Sequence, residues 1–290
     1  MTHAINSTAT KAHAKRRTQR FAAGRLIVLS LAAGILLLPY IYMLGFSLKP
    51  ADEIFAGGLS PIPEQFAGLS NYIGALDQEP LLRYLLNGVI VCAGILFFQL
   101  VFAVPCAYAL AKFRFPGRGA MLGLVLFGLL IPIQATSLPI FIGLAQTGLT
   151  DSYTALIVPF ISSVFAVFLF YQFFRTIPDE LLDAARLDGC SEVSIMVRIV
   201  LPLTIPAATA FGIFSVVSHW NDLFWPLIVL RSPELSTPPL GILAFRSEEA
   251  GDSYGELMAG TVIITAPLVV AFLAAQRRFI EGISLGALKG

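Results

Sequence analysis

The stretch DAARLDGCSEVSIMVRIVLP, residues 183–202, decides how this chain is to be read. It carries two Asp, one Glu and two Arg around Gly189, and it ends on Leu201-Pro202. Long apolar runs suited to lipid lie on both sides of it. Charged side chains are costly inside a bilayer, so such a segment belongs in water between two runs that cross.

The composition agrees. Of 290 residues, 57% are hydrophobic and 13% charged, and the mean hydropathy is +0.80. A soluble domain has about 45–50% apolar and about 25% charged residues. This chain is therefore an integral membrane protein. Its net charge of +1, with the basic residues spread over several short loops, says nothing about nucleic acid, and no nucleic-acid partner is expected. Cys92, Cys106 and Cys190 show no metal or redox spacing and read as free thiols.

A helical span needs about 20 mainly apolar residues. Six runs qualify: 26–48, 87–111, 120–144, 153–174, 205–230 and 257–276. Pro39, Pro105, Pro132, Pro139, Pro159, Pro226 and Pro267 fall in or near them, and kinks are tolerated where neighbouring helices and water satisfy the freed backbone groups. The expected fold is an all-α membrane protein with six transmembrane helices in one domain. A polar basic segment (1–25), mobile over residues 1–20, precedes the first span. An outer loop (49–86) follows, with a short helix near 71–76. The core is 87–280 and a tail covers 281–290. The first run is long, contains Pro39 and lacks a small-x-small cleavage site, so it reads as an uncleaved span despite Arg16-Arg17.

Orientation follows from Lys and Arg, which favour the cytoplasmic side. One side holds Lys11, Lys15, Arg16, Arg17, Arg20 and Arg25, then Lys112, Arg114 and Arg118, then Arg175, Arg186 and Arg198, and lastly Arg277, Arg278 and Lys289. The other holds only Lys49, Arg83, Arg231 and Arg246. Both termini, and residues 183–202 with them, are expected in the cytoplasm.

As an enzyme the chain is nearly empty. It has no G-x-x-x-x-G-K-[ST] phosphate loop, no H-E-x-x-H and no G-x-S-x-G, and His3, His13 and His219 have no metal-ligand spacing. No catalytic, cofactor or metal site is expected. One polar cluster lies in an apolar run: Ser218-His219-Trp220-Asn221-Asp222, followed by Trp225 and Pro226. Asp222 sits about 26 Å along a helix from Ile205 at about 1.5 Å per residue. It either lines a path through the bundle or rests solvated at the outer interface beside belt tryptophans. Gly119 and Gly123 form a G-x-x-x-G that could pack a helix.

The loop itself reads as two helices. Thr176 followed by Asp179 is a capping-box pattern, Pro178 suits a first turn, and Gly189 suits a left-handed helix end. Ser191 can cap a second helix carrying an apolar stripe of Val193, Met196, Val197 and Val200. Pattern alone leaves two readings, a helix resting on the membrane and an element docking on another surface.

The segment resembles the EAA loop of permease subunits of bacterial ABC importers, whose pattern is E-A-A, three residues, Gly, nine residues, I-x-L-P. Here Asp183-Ala184-Ala185 precede Gly189 and Ile199-Val200-Leu201-Pro202 at that spacing, with Asp183 in place of the usual Glu. Further stretches are similar to the carbohydrate-uptake branch and its six-span maltose permease subunit. They are Asn87-Gly88, the run from Ala107 to Arg118, Gly148 to Ser152, Trp220 to Leu227, and the tail from Arg277 to Gly290.

The resemblance implies a transmembrane subunit of an ATP-driven importer in the bacterial inner membrane, carrying a sugar by alternating access. A polyamine or glycerol phosphate is the alternative solute; a secondary carrier with Asp222 as proton site is the rival from another class. It implies a second, homologous permease subunit, two ATPase subunits holding ATP and Mg²⁺, an extracytoplasmic solute-binding protein and membrane lipid as partners. Within the cytoplasmic helix-turn-helix of 176–202, Asp183, Ala184, Ala185, Asp188, Gly189, Ile199, Leu201 and Pro202 would couple to the ATPase. The tail from Gly282 to Gly290 would reach between the ATPase subunits. Asn87, Trp220, Asn221, Asp222 and Trp225 are the candidates for the translocation path.

Overall fold

A computed structural model describes residues 2–56, 60–246 and 254–287, with side chains over 24–54, 60–245 and 254–276. The outer loop 231–256 reads as acidic from Glu234, Glu248, Glu249, Asp252 and Glu256; of these, Glu248, Glu249 and Asp252, together with tail residues 288–290, lie outside the described residues. Among the described residues every regular element is helical. In chain order they are α1 (Thr2–Phe46), α2 (Ala51–Ala56), α3 (Ser70–Gln78), α4 (Leu81–Lys112), α5 (Arg118–Gly128), α6 (Ile133–Gln146), α7 (Tyr153–Ile157) and α8 (Val164–Phe174). There follow α9 (Asp179–Leu187), α10 (Glu192–Ile195), α11 (Leu201–Leu203), α12 (Ile205–Trp220), α13 (Phe224–Val229), α14 (Pro238–Ile242) and α15 (Tyr254–Ala287). The short helix expected near 71–76 is α3. The 1–20 segment expected to be mobile is helical in its backbone from Thr2 onward.

Among the described residues three helical stretches are long and apolar enough to cross a membrane: Gly24–Phe46, Leu81–Lys112 and Tyr254–Gln276. Three more spans are interrupted. Arg118–Gly128 and Ile133–Gln146 meet at 98°, Tyr153–Phe160 and Val164–Phe174 at 42°, and Glu192–Leu203 and Ile205–Trp220 at 72°. Counted as bent pairs, these bring the total to six.

The first two bends fall inside the runs 120–144 and 153–174, the third falls just before 205–230, and that last run has its own break after Trp220, so none of the three is the continuous helix that apolar length suggested. The causes are local. Pro132 has no N–H to give and disfavours a helical residue before it; it stands extended at ψ 140. Ser163 is likewise extended and caps α8, accepting from Ala166 N at 3.1 Å. The fifth run stops at Trp220 and resumes at Phe224. In between, Asn221 folds its amide back onto Val217 O at 2.8 Å, and Asp222 accepts from Trp225 N at 3.3 Å.

Lipid tails are as apolar as Leu, so helices in a bilayer associate by close packing and polar contacts rather than by escape from water. α4 is the centre of this packing, with α8 and α12 against it. The fully buried Ala103, Ala107 and Ala166 let α4 and α8 approach, and Tyr108, Phe170, Phe174 and Phe211 fill the space beside them. At the opposite end Val91, Ile95, Leu144, Leu156, Trp225 and Val229 form a second core. There α14 lies so close to α4 that a Cβ on Gly241 would come within 2.1 Å of the Tyr84 ring. A Cβ at Gly119 or Gly123 would meet no atom within 4 Å, so that pair packs no neighbour here.

Polar pins fasten the connections at this opposite end. Buried Lys49 pairs with Glu53 at 3.0 Å, and Glu53 accepts from the backbone N–H groups of Glu64 and Gln65. Those two backbone donors, with Lys49 beside them, hold the Glu53 carboxyl below its ordinary range. Asp151 accepts from the N–H groups of Arg231 and Ser232, each at 2.9 Å, and ties the loop after α6 to the chain after α13.

Candidate functional site

The 176–203 segment is folded back onto the bundle rather than hung from it. The expected capping box does not form: Thr176 Oγ1 donates to Phe173 O at 2.7 Å, closing the preceding helix. Asp179 is claimed instead by Lys112, whose Nζ reaches it at 2.6 Å and also donates to Ile177 O at 2.6 Å. The ammonium holds the Asp179 carboxyl below its ordinary range. Pro178 precedes the helix, and Asp179 and Glu180 stand in its first turn, where negative charge suits the helix dipole.

The bend is built as the residues dictate. Gly189 has φ +81, Cys190 N donates to Ala185 O, and Gly189 N donates to Arg186 O, each at 3.0 Å. This is a Schellman ending, which favours Gly at the left-handed position. Ser191 then caps α10, accepting from Ser194 N at 3.3 Å. The apolar stripe is displaced from the expected one: Val193 and Val197 are exposed, while Ile195 and Val200 are fully buried. The helix widens to a π turn over Met196–Val200, which inserts one residue per turn and rotates the following side chains. Leu182, Ala185, Ile195 and Val200 face the core of α4 and α8.

Arg186 locks the two arms. Its Nη1 is 2.7 Å from Asp183 and its Nε 2.7 Å from Glu192. Tyr108 of α4 donates to the other Glu192 oxygen at 3.1 Å. The two carboxylates push the guanidinium further up from its already high range. Asp183, Ala184, Asp188 and Gly189 turn outward, and Leu187 is 89% exposed beside them. Of the remaining residues of the motif, Ala185 is buried, Ile199 half-buried, and Leu201 and Pro202 are exposed.

Midway through the bundle lies a cavity of about 500 Å³. The interruptions of three helical runs converge on it. Ile133 and Gln134 come from the start of α6, Phe160, Ser162 and Ser163 from the break before α8, and Asn221, Asp222 and Phe224 from the break after α12. Irregular backbone at membrane depth is tolerated where it lines a polar cavity. α4 supplies Gln99, whose Nε2 donates to Phe160 O at 3.0 Å and whose Oε1 accepts from Ser215 at 2.7 Å. The same Nε2 lies 3.4 Å from His219 Nε2. The Phe160 ring meets the His219 ring edge-on at 4.9 Å and the Trp225 ring at 6.1 Å. The site thus offers amides, hydroxyls, one carboxylate and flat aromatic walls.

Of the residues singled out for a path, Asn221, Asp222 and Trp225 line this cavity. Asn87 and Trp220 are placed elsewhere. Asn87 donates to Glu234 O and Ser236 O, each at 2.9 Å, and accepts from Tyr153 at 2.6 Å. Trp220 Nε1 donates to Ile264 O at 3.1 Å and joins α12 to α15. Gln99, Gln134, Ser162 and Ser163 were missed. A lone Gln99 inside an apolar run was the available signal, since intramembrane polar groups face interiors or cavities.

A family profile described as binding-protein-dependent transport system inner membrane component matches residues 99–284. The arabinooligosaccharides transport system permease protein AraQ of Halalkalibacterium halodurans is 36% identical over 280 residues, covering 95% of this chain and 100% of that one. The diacetylchitobiose uptake system permease protein NgcG of Streptomyces coelicolor is 30% identical over 274 residues, covering 93% and 90%. The sn-glycerol-3-phosphate transport system permease protein UgpE of Yersinia pestis is 30% identical over 266 residues, covering 87% and 93%. Among solved structures, a chain of a bacterial ABC transporter involved in the import of the acidic polysaccharide alginate superposes with a TM-score of 0.78 at 23% identity. That likeness spans 90% of this chain and 97% of the other, and it shows a shared fold.

Proposed function

This chain belongs to the family of binding-protein-dependent transport system inner membrane components, and we propose that it is the permease subunit of an ATP-driven importer for a sugar or oligosaccharide. The observation that carries the reading is the pairing of two sites on α4. Near its C-terminal end α4 holds the bent loop 176–203 through Lys112 and Tyr108. In its middle it supplies Gln99 to the cavity. Relatives named for arabinooligosaccharides and diacetylchitobiose favour a sugar. The relative named for glycerol 3-phosphate keeps a phosphate ester as the second reading.

In this reading the subunit lies in the bacterial inner membrane with both termini and the loop in the cytoplasm. It pairs with a second, homologous permease subunit, while a binding protein delivers solute from the other side. Two ATPase subunits hold ATP and Mg²⁺ and do the hydrolysis; this chain is not an enzyme. Asp183, Ala184, Asp188 and Gly189 form the face that docks on an ATPase subunit. Ala185, Ile199, Leu201 and Pro202 set how that face sits. Asn221, Asp222 and Trp225 line the solute path, while Asn87 and Trp220, bonded away from the cavity, brace the helices that carry it.

The test is Gly189→Asp in the assembled transporter. A side chain at φ +81 is strained, and the added charge stands on the docking face. Uptake and ATPase activity stimulated by the binding protein should collapse while the protein still inserts. Uptake at the wild-type level would overturn the assignment.

A further inference from the structure

Building on the reading of this cavity as the solute path, we infer that Asp222 makes its wall charge-selective: neutral and cationic solutes enter, and anionic ones are repelled. Among the described residues no Lys or Arg lines the cavity, and Asp222 is the one carboxylate on its wall. Among those same residues His219 is the only other side chain there that could carry charge, and its hydrogen bonding makes it neutral. Phe160 O can only accept, so Gln99 must present its amide nitrogen to it, at 3.0 Å. The same nitrogen faces His219 Nε2 at 3.4 Å, which leaves that ring nitrogen as an acceptor. An imidazole accepting at Nε2 carries its proton on Nδ1 and no net charge.

Helix ends offset the carboxylate only in part. α6 and α8 bring their N-terminal ends to the wall, while the break after α12 brings a C-terminal and an N-terminal end together. Such ends carry partial charges whose effect fades within a turn, whereas an ionised Asp222 carries a full one. Asp222 also caps the first turn of α13 through Trp225 N. Asn serves equally well in such a position, so Asp222→Asn removes the charge and leaves the cap. That substitution separates a charge filter from a purely structural role.

The experiment needs no knowledge of the solute. The assembled transporter is prepared with Cys92→Ala, Cys106→Ala, Cys190→Ser and Ser218→Cys, the last replacing an exposed residue of the cavity wall. Two methanethiosulfonate reagents of similar size are compared at low salt, one bearing trimethylammonium and one sulfonate, each normalised to a free thiol in solution. Ser218 stands in the last turn of α12 and Asp222 in the break just beyond it, both on the cavity wall, so a separation of about 6 Å sets the scale. Opposite unit charges at that range differ roughly tenfold in local concentration even in bulk water. The ammonium reagent should therefore react roughly tenfold faster. Asp222→Glu should keep the preference, and Asp222→Asn should bring the ratio to near one. Labelling by both reagents with a ratio indifferent to Asp222→Asn overturns the filter and leaves the path reading standing. Labelling by neither, at rest and during ATP turnover, overturns the path reading and the filter with it.

Discussion

The Arg186 guanidinium lies 2.7 Å from the Glu192 carboxylate, across the left-handed turn at Gly189. The two arms of the loop are therefore joined twice, once by backbone and once by charge. Because Tyr108 holds the other Glu192 oxygen, the joint is continuous with α4.

Glu192→Gln keeps the shape of this joint and removes its charge. Half-exposed ion pairs contribute about 0.2–1 kcal/mol, so detergent melting should move little. Solute carried per ATP hydrolysed should fall several-fold, because α9 can then tilt without drawing on α4. Glu192→Asp should restore part of the ratio. An unchanged ratio in Glu192→Gln would remove the joint from the coupling route.

Acid should release the start of α9 late. Lys112 holds Asp179 below the ordinary carboxylate range. A depressed folded value means that the stabilisation is present above the unfolded pKa of about 3.9 and is lost as pH falls through the folded value. A spin-label distance between the 176–180 turn and the end of α4 should therefore stay constant down to about pH 4 and lengthen only below it. Lengthening between pH 5 and 7 would contradict the assignment.

Lys112→Met should destabilise the fold by about 2 kcal/mol, the scale of losing a charge-assisted hydrogen bond to a buried acceptor. The Lys112 side chain is only 6% exposed, and Ile177 O would lose its donor. Thermal unfolding in detergent measures the loss. Asp179→Asn should cost much less, because that carboxylate is 77% exposed.

Gln99→Leu should cost about 1–3 kcal/mol, since Phe160 O and Ser215 lose a buried partner. Gln99→Glu should be no better, although it is nearly the same size. A carboxylate cannot donate to Phe160 O, and it adds a second negative charge near Asp222. Melting of the two variants side by side checks the order.

Legibility in the sequence followed the range of the forces involved. Gly189, Ser191 and Pro178 act on their own turn, and the bend stands where they put it. The six apolar runs were plain because lipid sets span length directly. The interruptions were not, because a proline in a span kinks it or ends it according to what stands beside it. Thr176 illustrates the point: its capping box was undone by Lys112, far along the chain. Val193 and Val197 left the buried stripe because a π turn, invisible to a fixed 3.6-residue period, rotates the face. Asn87 and Trp220 carried polar groups into apolar runs, as a path residue would. Their partners, Ser236 O and Ile264 O, come from segments that composition does not place beside them.

α4 runs unbroken from Leu81 to Lys112, while the helical runs around the cavity are jointed. Gln99 lies about 18 Å along the axis from Asn87 and about 20 Å from Lys112, at about 1.5 Å per residue. α4 is thus a beam with nearly equal arms, loaded at one end by the bent loop and at the other by the chain around Ser236. A beam rocked about its midpoint swings its two ends in opposite directions and leaves the middle almost still. The cavity sits at that fulcrum, so tilting would exchange which end is open while its wall keeps its shape.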